Sequence, residues 1–433
     1  MRMPCKGMRA LTLAIGLSVL AGTSHAFDYL DGSAVRGSGG ADLASLYAFV
    51  PNVAGEPGPM TVLLSIKPFA LSLSEAARMD NFTSAIEFTV RMRPAALVGM
   101  GAAVRTRLGK GELGVACRYY DGNDEIGCIV SQTGADGSKR VVGHAGGNLN
   151  TDIHIKGLRM STRMRSDPRL VNFQAERACL DDDEIEFRKL DKFQRRIDLR
   201  YRNSTEANKL NVIMLALELN RDWLPKEAGL PLLAVTAQSA NVDADGTVTP
   251  IDRVGRTHVS TRLIQDDVSR NGWNVLDPFD VVGATAFRES MQRGMVAVAA
   301  QSRANDWPYP HPLVELMLSD QLLLNPDIGV STVDVSRNHY MELEWAAFTG
   351  QSMKGLPGGR RLVDNAQSRF YAIFARQGTA HYEQLDYLKH PLYRPTQAQF
   401  PYMAAPYEAH DTLMSRLLAG LGTESETIRG CAK

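Results

Sequence analysis

The tightest constraint on the fold of this chain is a pair of cysteines set symmetrically about a turn. In Cys117-Arg118-Tyr119-Tyr120-Asp121-Gly122-Asn123-Asp124-Glu125-Ile126-Gly127-Cys128, Gly-Asn marks a hairpin turn, since glycine and asparagine tolerate the positive φ angles that tight turns need. Centring a two-residue turn on Gly122-Asn123 sets Cys117 opposite Cys128. That parity predicts a hydrogen-bonded pair with Cα atoms ~5.5 Å apart, within reach of a disulfide. Cys5 falls in the leader discussed below, so Cys179 and Cys431 would form the second bridge. Four unpaired thiols remain the alternative; the spacings do not resemble a zinc knuckle.

A disulfide needs an oxidising compartment, and the N-terminus supplies the address. Arg2, Lys6 and Arg9 precede the apolar run Ala10 to Ala21, and small residues stand at Ser24 and Ala26. These are the parts of a cleavable secretory signal over residues 1–26. The run is shorter than the ~20 residues of a membrane span, and no other stretch approaches that length. Residues 27–433 are therefore expected to be one periplasmic or extracellular domain, with no transmembrane segment after cleavage. Removing three bases and no acid from a chain with 48 of each leaves a net charge near −3. That surplus of acids argues against a nucleic-acid partner.

Strand signals fill the first half. Thr61 to Ile66 is a short apolar run, and Ala85 to Met92 alternates, placing Ile86, Phe88, Val90 and Met92 on one face. Ala102 to Val142 reads as an antiparallel meander, and Asn211 to Leu219 and Leu230 to Ala237 as central strands. Asp181 to Gln194 is charged and helix-like. The second half is more helical. Thr285 is positioned to cap a helix striped by Phe287, Met291, Met295 and Val298. Leu313, Leu316, Met317 and Leu318 open a second, and Leu362, Ala366, Phe370, Ile373 and Phe374 a third, ending near Gly378. The expected fold is α+β and β-rich, with antiparallel, sandwich-like sheets and helices mainly from the C-terminal half.

Chemistry is harder to find. Asn241-Val242-Asp243-Ala244-Asp245-Gly246-Thr247-Val248-Thr249-Pro250-Ile251-Asp252 carries oxygen ligands at loop positions one, three and five, glycine at six and a carboxylate at twelve. This is the spacing of a calcium loop, with Asn241, Asp243, Asp245, Thr247 and Asp252 as ligands. Asp in place of Glu at position twelve, Pro250 and strand-like flanks favour a plain hairpin turn at Asp245-Gly246 instead. Calcium is the one cofactor the sequence suggests. The histidines are scattered; His339 and Glu342 stand three apart, without a His-Glu-x-x-His pattern. No nucleophile elbow, P-loop, dinucleotide fingerprint or haem-attachment motif is present.

Several stretches resemble a known family. Asp28-Tyr29-Leu30-Asp31-Gly32-Ser33-Ala34-Val35, then Ala41-Asp42-Leu43-Ala44-Ser45-Leu46-Tyr47-Ala48-Phe49, is similar to the opening of the bacterial exported family called domain of unknown function 4331 (DUF4331). So are Leu64-Ser65-Ile66-Lys67-Pro68-Phe69, Arg253-Val254-Gly255-Arg256, Gly358-Gly359-Arg360-Arg361-Leu362 and Phe400-Pro401-Tyr402-Met403-Ala404-Ala405-Pro406. The chain departs from the pattern at Tyr29, where many relatives have His, at Gly32-Ser33 for Ser-Pro, and at Thr257 for Pro. The resemblance implies export and carries no activity. Tyr47 and Phe49, two apart on a strand, are expected to bury one face. Two functions fit: a non-catalytic binder of a small molecule or envelope protein, or a hydrolase using Asp31, Asp42 and Asp167.

Overall fold

Alternating and continuous apolar runs pair into two antiparallel sheets, the alternating ones with one face to bury. The structure, a computed structural model, describes residues 34–35, 40–66, 85–120, 125–168, 211–301, 306–376 and 394–407. The first sheet has the order β1-β4-β12-β11-β10. Its strands are β1 (Leu43–Phe49), β4 (Met60–Ile66), β10 (Asp152–Ile155), β11 (Leu158–Ser166) and β12 (Asn211–Leu219). β2 (Asn52–Val53) and β3 (Glu56–Pro57) form a small hairpin between β1 and β4. The second sheet follows β14-β13-β5-β7-β8-β9. It is built from β5 (Ile86–Val98), β7 (Glu112–Tyr120), β8 (Glu125–Thr133), β9 (Lys139–Asn148), β13 (Leu232–Val242) and β14 (Val248–Val254). β6 (Arg105–Leu108) pairs with β5, and β15 (Leu322–Leu324) with β13.

Two long strands each serve two short partners along one edge. β5 pairs with β7 up to Met92 and with β6 from Ala95. Pro94, which has no N–H to give a ladder, lies in the gap between them. Ile86, Phe88, Val90 and Met92 face inward as their alternation requires, and join Leu64, Met160, Ile213 and Leu215 of the facing sheet in one core. The fold is thus a β-rich α+β sandwich.

β1 is buried on both faces. Leu46, Ala48 and Val50 enter the sandwich core. Tyr47 and Phe49 point the other way, into a second cluster with Leu63, Met214, Val330, Leu362, Phe400, Tyr402 and Met403. The outer face of the first sheet is therefore covered by chain from the C-terminal end, and Phe49 meets Tyr402 edge-on with ring centroids 5.4 Å apart.

Among the described residues the helices α1 (Asp267–Val275), α2 (Val281–Ala284), α3 (Arg288–Gln301), α4 (Val314–Met317), α5 (Glu342–Thr349) and α6 (Ala366–Phe374) all follow β14. Met291, Met295 and Val298 are buried, as their stripe predicts. The cap differs. The Thr285 hydroxyl donates to Val282 O, and Asp280, one turn earlier, accepts from Gly283 N to start α2. Leu362 lies outside the α6 stripe because Asn365 caps that helix, accepting from Ser368 N at 3.0 Å. Asp181 to Gln194, Gly378 and residues 1–26 lie outside the described residues. No described helix is long and apolar enough to cross a membrane.

Cys117 and Cys128 are cross-strand partners and are bonded, with Cα atoms 4.1 Å apart. That is the narrow, non-hydrogen-bonded spacing, not the wide one expected. The two-residue turn expected at Gly122-Asn123 lies outside the described residues. Cys179 and Cys431 lie outside the described residues. Reducing the Cys117–Cys128 bridge frees a short loop in the unfolded chain and should lower stability by roughly 3 kcal/mol. Urea unfolding of wild type and Cys117→Ser/Cys128→Ser, each with and without reductant, measures it; the double variant should not respond to loss of this bridge.

Candidate functional site

Beyond β14 the chain turns into the seam between the sandwich and the helices, and there it buries charge. Arg256 is 1% exposed. Its Nε lies 3.0 Å from Glu344 Oε1 of α5, its Nη1 donates to Leu316 O and Ser319 O, and its backbone N–H donates to Asp320 Oδ1 at 2.7 Å. Gly255 makes this possible, since a Cβ there would sit 2.0 Å from Asp320 O. Burial pushes the Asp320 and Glu344 carboxyls up, against the pull of the neighbouring arginines. Arg253, beside them, stacks 3.6 Å from the Trp273 ring centroid.

The next turn is strained. His258 has φ +76° and leads into a buried π-helical turn over Val259–Leu263. Such turns and left-handed non-glycine residues cost energy and persist where surrounding packing holds them. Gly294 of α3 allows the close approach, because a Cβ there would lie 2.2 Å from Leu263 O.

Arg360 reaches the same seam from the other side. Gly358 and Gly359 take φ angles of +64° and +73°, and a Cβ on Gly359 would stand 2.3 Å from Ala48 O. This lets Arg360 pair with β1 by two backbone hydrogen bonds to Ala48, at 2.9 and 3.0 Å. The side chain is fully buried, with Nη1 donating to Leu46 O and Thr257 Oγ1. Its guanidinium lies 4.3 Å from the Tyr47 ring centroid and 5.9 Å from that of Tyr340, whose hydroxyl donates to Thr257 O. Among the described residues no carboxylate pairs with Arg360, and its Nε and Nη2 have no hydrogen-bond partner. Arg361, its neighbour, shows the contrast. It is paired with Asp364 at 2.8 Å and donates to the carbonyls of Ser331, Asp334 and Arg337.

No family model, curated protein or solved structure matches this chain.

The case for a site therefore rests on geometry. The calcium-like residues form the β13–β14 hairpin. Asn241 pairs with Thr249, Asp243 N–H donates to Thr247 O, and Asp245 Oδ1 accepts from Thr247 N–H. Gly246 takes φ +85° at the turn. Asp252 is not brought to that turn. It is buried, its Oδ2 accepting from Leu43 N–H of β1 and its Oδ1 from Arg253 N–H. Among the described residues no three His, Cys, Asp or Glu side chains converge to hold a metal.

Asp42 and Asp167 are both buried and both engaged. Asp42 precedes β1 and Asp167 follows β11, with β4 and β12 between those strands. At ~4.8 Å per strand the strands they flank lie roughly 14 Å apart. Asp31 lies outside the described residues. His339 Nδ1 lies 2.9 Å from Glu342 Oε1, which also accepts Gly358 N–H, so this pair braces the double glycine.

His311 is the other buried group of note. Its ring sits between Trp307 and Phe374, at centroid distances of 4.6 and 5.4 Å, and Nδ1 accepts from Leu313 N–H. Burial, then the charge of Arg376, pulls this imidazole down to about 4. The unfolded chain takes up a proton near pH 6.5 that the folded chain refuses until about 4. Stability is thus complete above 6.5 and falls with pH through that window, by about 3 kcal/mol in total. Melting temperatures from pH 7 to 4.5 should show the decline in wild type and a flatter slope in His311→Gln.

Proposed function

We propose that this chain is exported, as the DUF4331 resemblance implies, and that it is a non-catalytic protein that binds a small molecule. The observation that carries the reading is Arg360, a fully buried guanidinium with an open hydrogen-bonding edge and no carboxylate partner among the described residues. The spatial meeting of the quoted stretches supports it too. Tyr47 from the first stretch lies under Arg360 from the fifth. Leu362 of that stretch and Phe400, Tyr402 and Met403 of the last pack with Tyr47 and Phe49. Thr257, directly after Arg256 and standing where the family has proline, accepts from Arg360.

The same geometry speaks against catalysis. Asp42 and Asp167, nominated for hydrolysis, are buried and engaged, while Arg256 and Arg361 donate to main-chain carbonyls. The enclosed setting of Arg360 favours a small molecule over an envelope protein as the bound species. The test pairs an ester, glycoside and phosphate substrate panel with a thermal-shift screen of small metabolites, charged and neutral. No turnover above blank and stabilisation by at least one compound is the expected result. Turnover of any substrate, or a flat screen, would overturn the reading.

A further inference from the structure

We infer that Arg360, with hydroxyls on the outer face of β1 and β4, forms an enclosed site for a small tetrahedral oxyanion such as phosphate or sulfate. The inference rests on the binding reading and specifies its ligand. Nη1 of Arg360 is occupied by Leu46 O and Thr257 Oγ1, and the Tyr47 and Tyr340 rings lie near the guanidinium. What remains is the edge formed by Nε and Nη2. Those two N–H groups are parallel, the fork that grips two oxygens of a phosphate or carboxylate at once. Aromatic rings soften a buried charge but accept nothing along that edge.

Three further polar groups share the predicament. Tyr47 OH, Ser45 Oγ and Ser65 Oγ are buried and, among the described residues, without partners. Ser45 and Ser65 face each other across the β1–β4 pair, and Tyr47 lies two residues along β1 from Ser45 on the side facing the second cluster. Hydroxyls can satisfy one another, but the guanidinium edge can only donate, so the set as a whole has an excess of donors. A tetrahedral anion offers the fork two oxygens and leaves two for hydroxyls. A carboxylate fills the fork alone.

The experiment has two parts on the full exported protein. First, the purified protein is denatured and the supernatant run by ion chromatography. Second, melting is followed with inorganic phosphate, sulfate, acetate and chloride at equal ionic strength, for wild type, Arg360→Met, Tyr47→Phe and Ser65→Ala. The expected result is either about one equivalent of phosphate or sulfate released per chain, or a saturable rise in melting temperature with one of them beyond that with chloride. Arg360→Met should abolish the response, and Tyr47→Phe and Ser65→Ala should weaken it. The two hydroxyl variants carry the test if Arg360→Met does not fold. No released anion with equal melting in all four salts overturns the oxyanion site, as does a response to acetate alone. A neutral compound stabilising the protein without any anion response would leave the binding reading standing and remove only this inference.

Discussion

Replacing Glu344 with leucine is expected to destabilise the protein by about 3–5 kcal/mol, among the largest effects any single side chain here can produce. The reason is the partner left behind. Arg256 Nε faces Glu344 at 3.0 Å with both side chains almost wholly buried, so the variant strands a cation with no water to solvate it. The pair itself contributes little net stability compared with an apolar pair of the same volume, because bringing both charges out of water costs nearly what their attraction returns. Arg256→Met with Glu344→Leu should therefore recover part of the loss. Recovery will be incomplete because Arg256 also satisfies Leu316 O and Ser319 O, which the double variant leaves bare. Urea denaturation of the four proteins gives the cycle; equal losses for Glu344→Leu and for an exposed acid such as Glu289→Leu would contradict it.

Gly255→Ala should cost a comparable amount, ~3–5 kcal/mol, although it adds a single methyl. The added carbon would sit 2.0 Å from Asp320 O and 2.6 Å from Asp320 C. Both are main-chain atoms, held by the hydrogen bond from Arg256 N–H to Asp320 Oδ1, so neither can yield without moving the seam. Gly246→Ala is the control. Gly246 has positive φ but open space around it, so only the left-handed penalty applies, about 1–2 kcal/mol. A thermal melt that ranks the two the other way would show that seam packing does not set the cost.

Much of the sandwich is legible in the sequence, because a strand buried on one face must alternate. Ile86, Phe88, Val90 and Met92 announce β5 directly, and Tyr47 and Phe49 bury one face together as their spacing predicts. The cystine partners are legible as well, though not which of the two Cα spacings they take. The hairpin at Asn241 to Asp252 shows a deeper ambiguity. Oxygen-bearing residues at every second position satisfy a calcium loop and an exposed strand equally, and only the tertiary claim of Leu43 on Asp252 separates them. Arg360 is illegible for a different reason. A double glycine before two arginines marks an unusual backbone, yet whether an arginine finds a carboxylate depends on distant chain. Arg361 has Asp364 three residues away, whereas Arg360 reaches for Leu46 and Thr257, 314 and 103 residues distant.

The most direct test is a high-resolution crystal structure of the purified protein, read at the Nε–Nη2 edge of Arg360. Density for a tetrahedral anion within hydrogen-bonding distance of both nitrogens is the result this account predicts. A carboxylate side chain of the protein itself seated against that edge would contradict it.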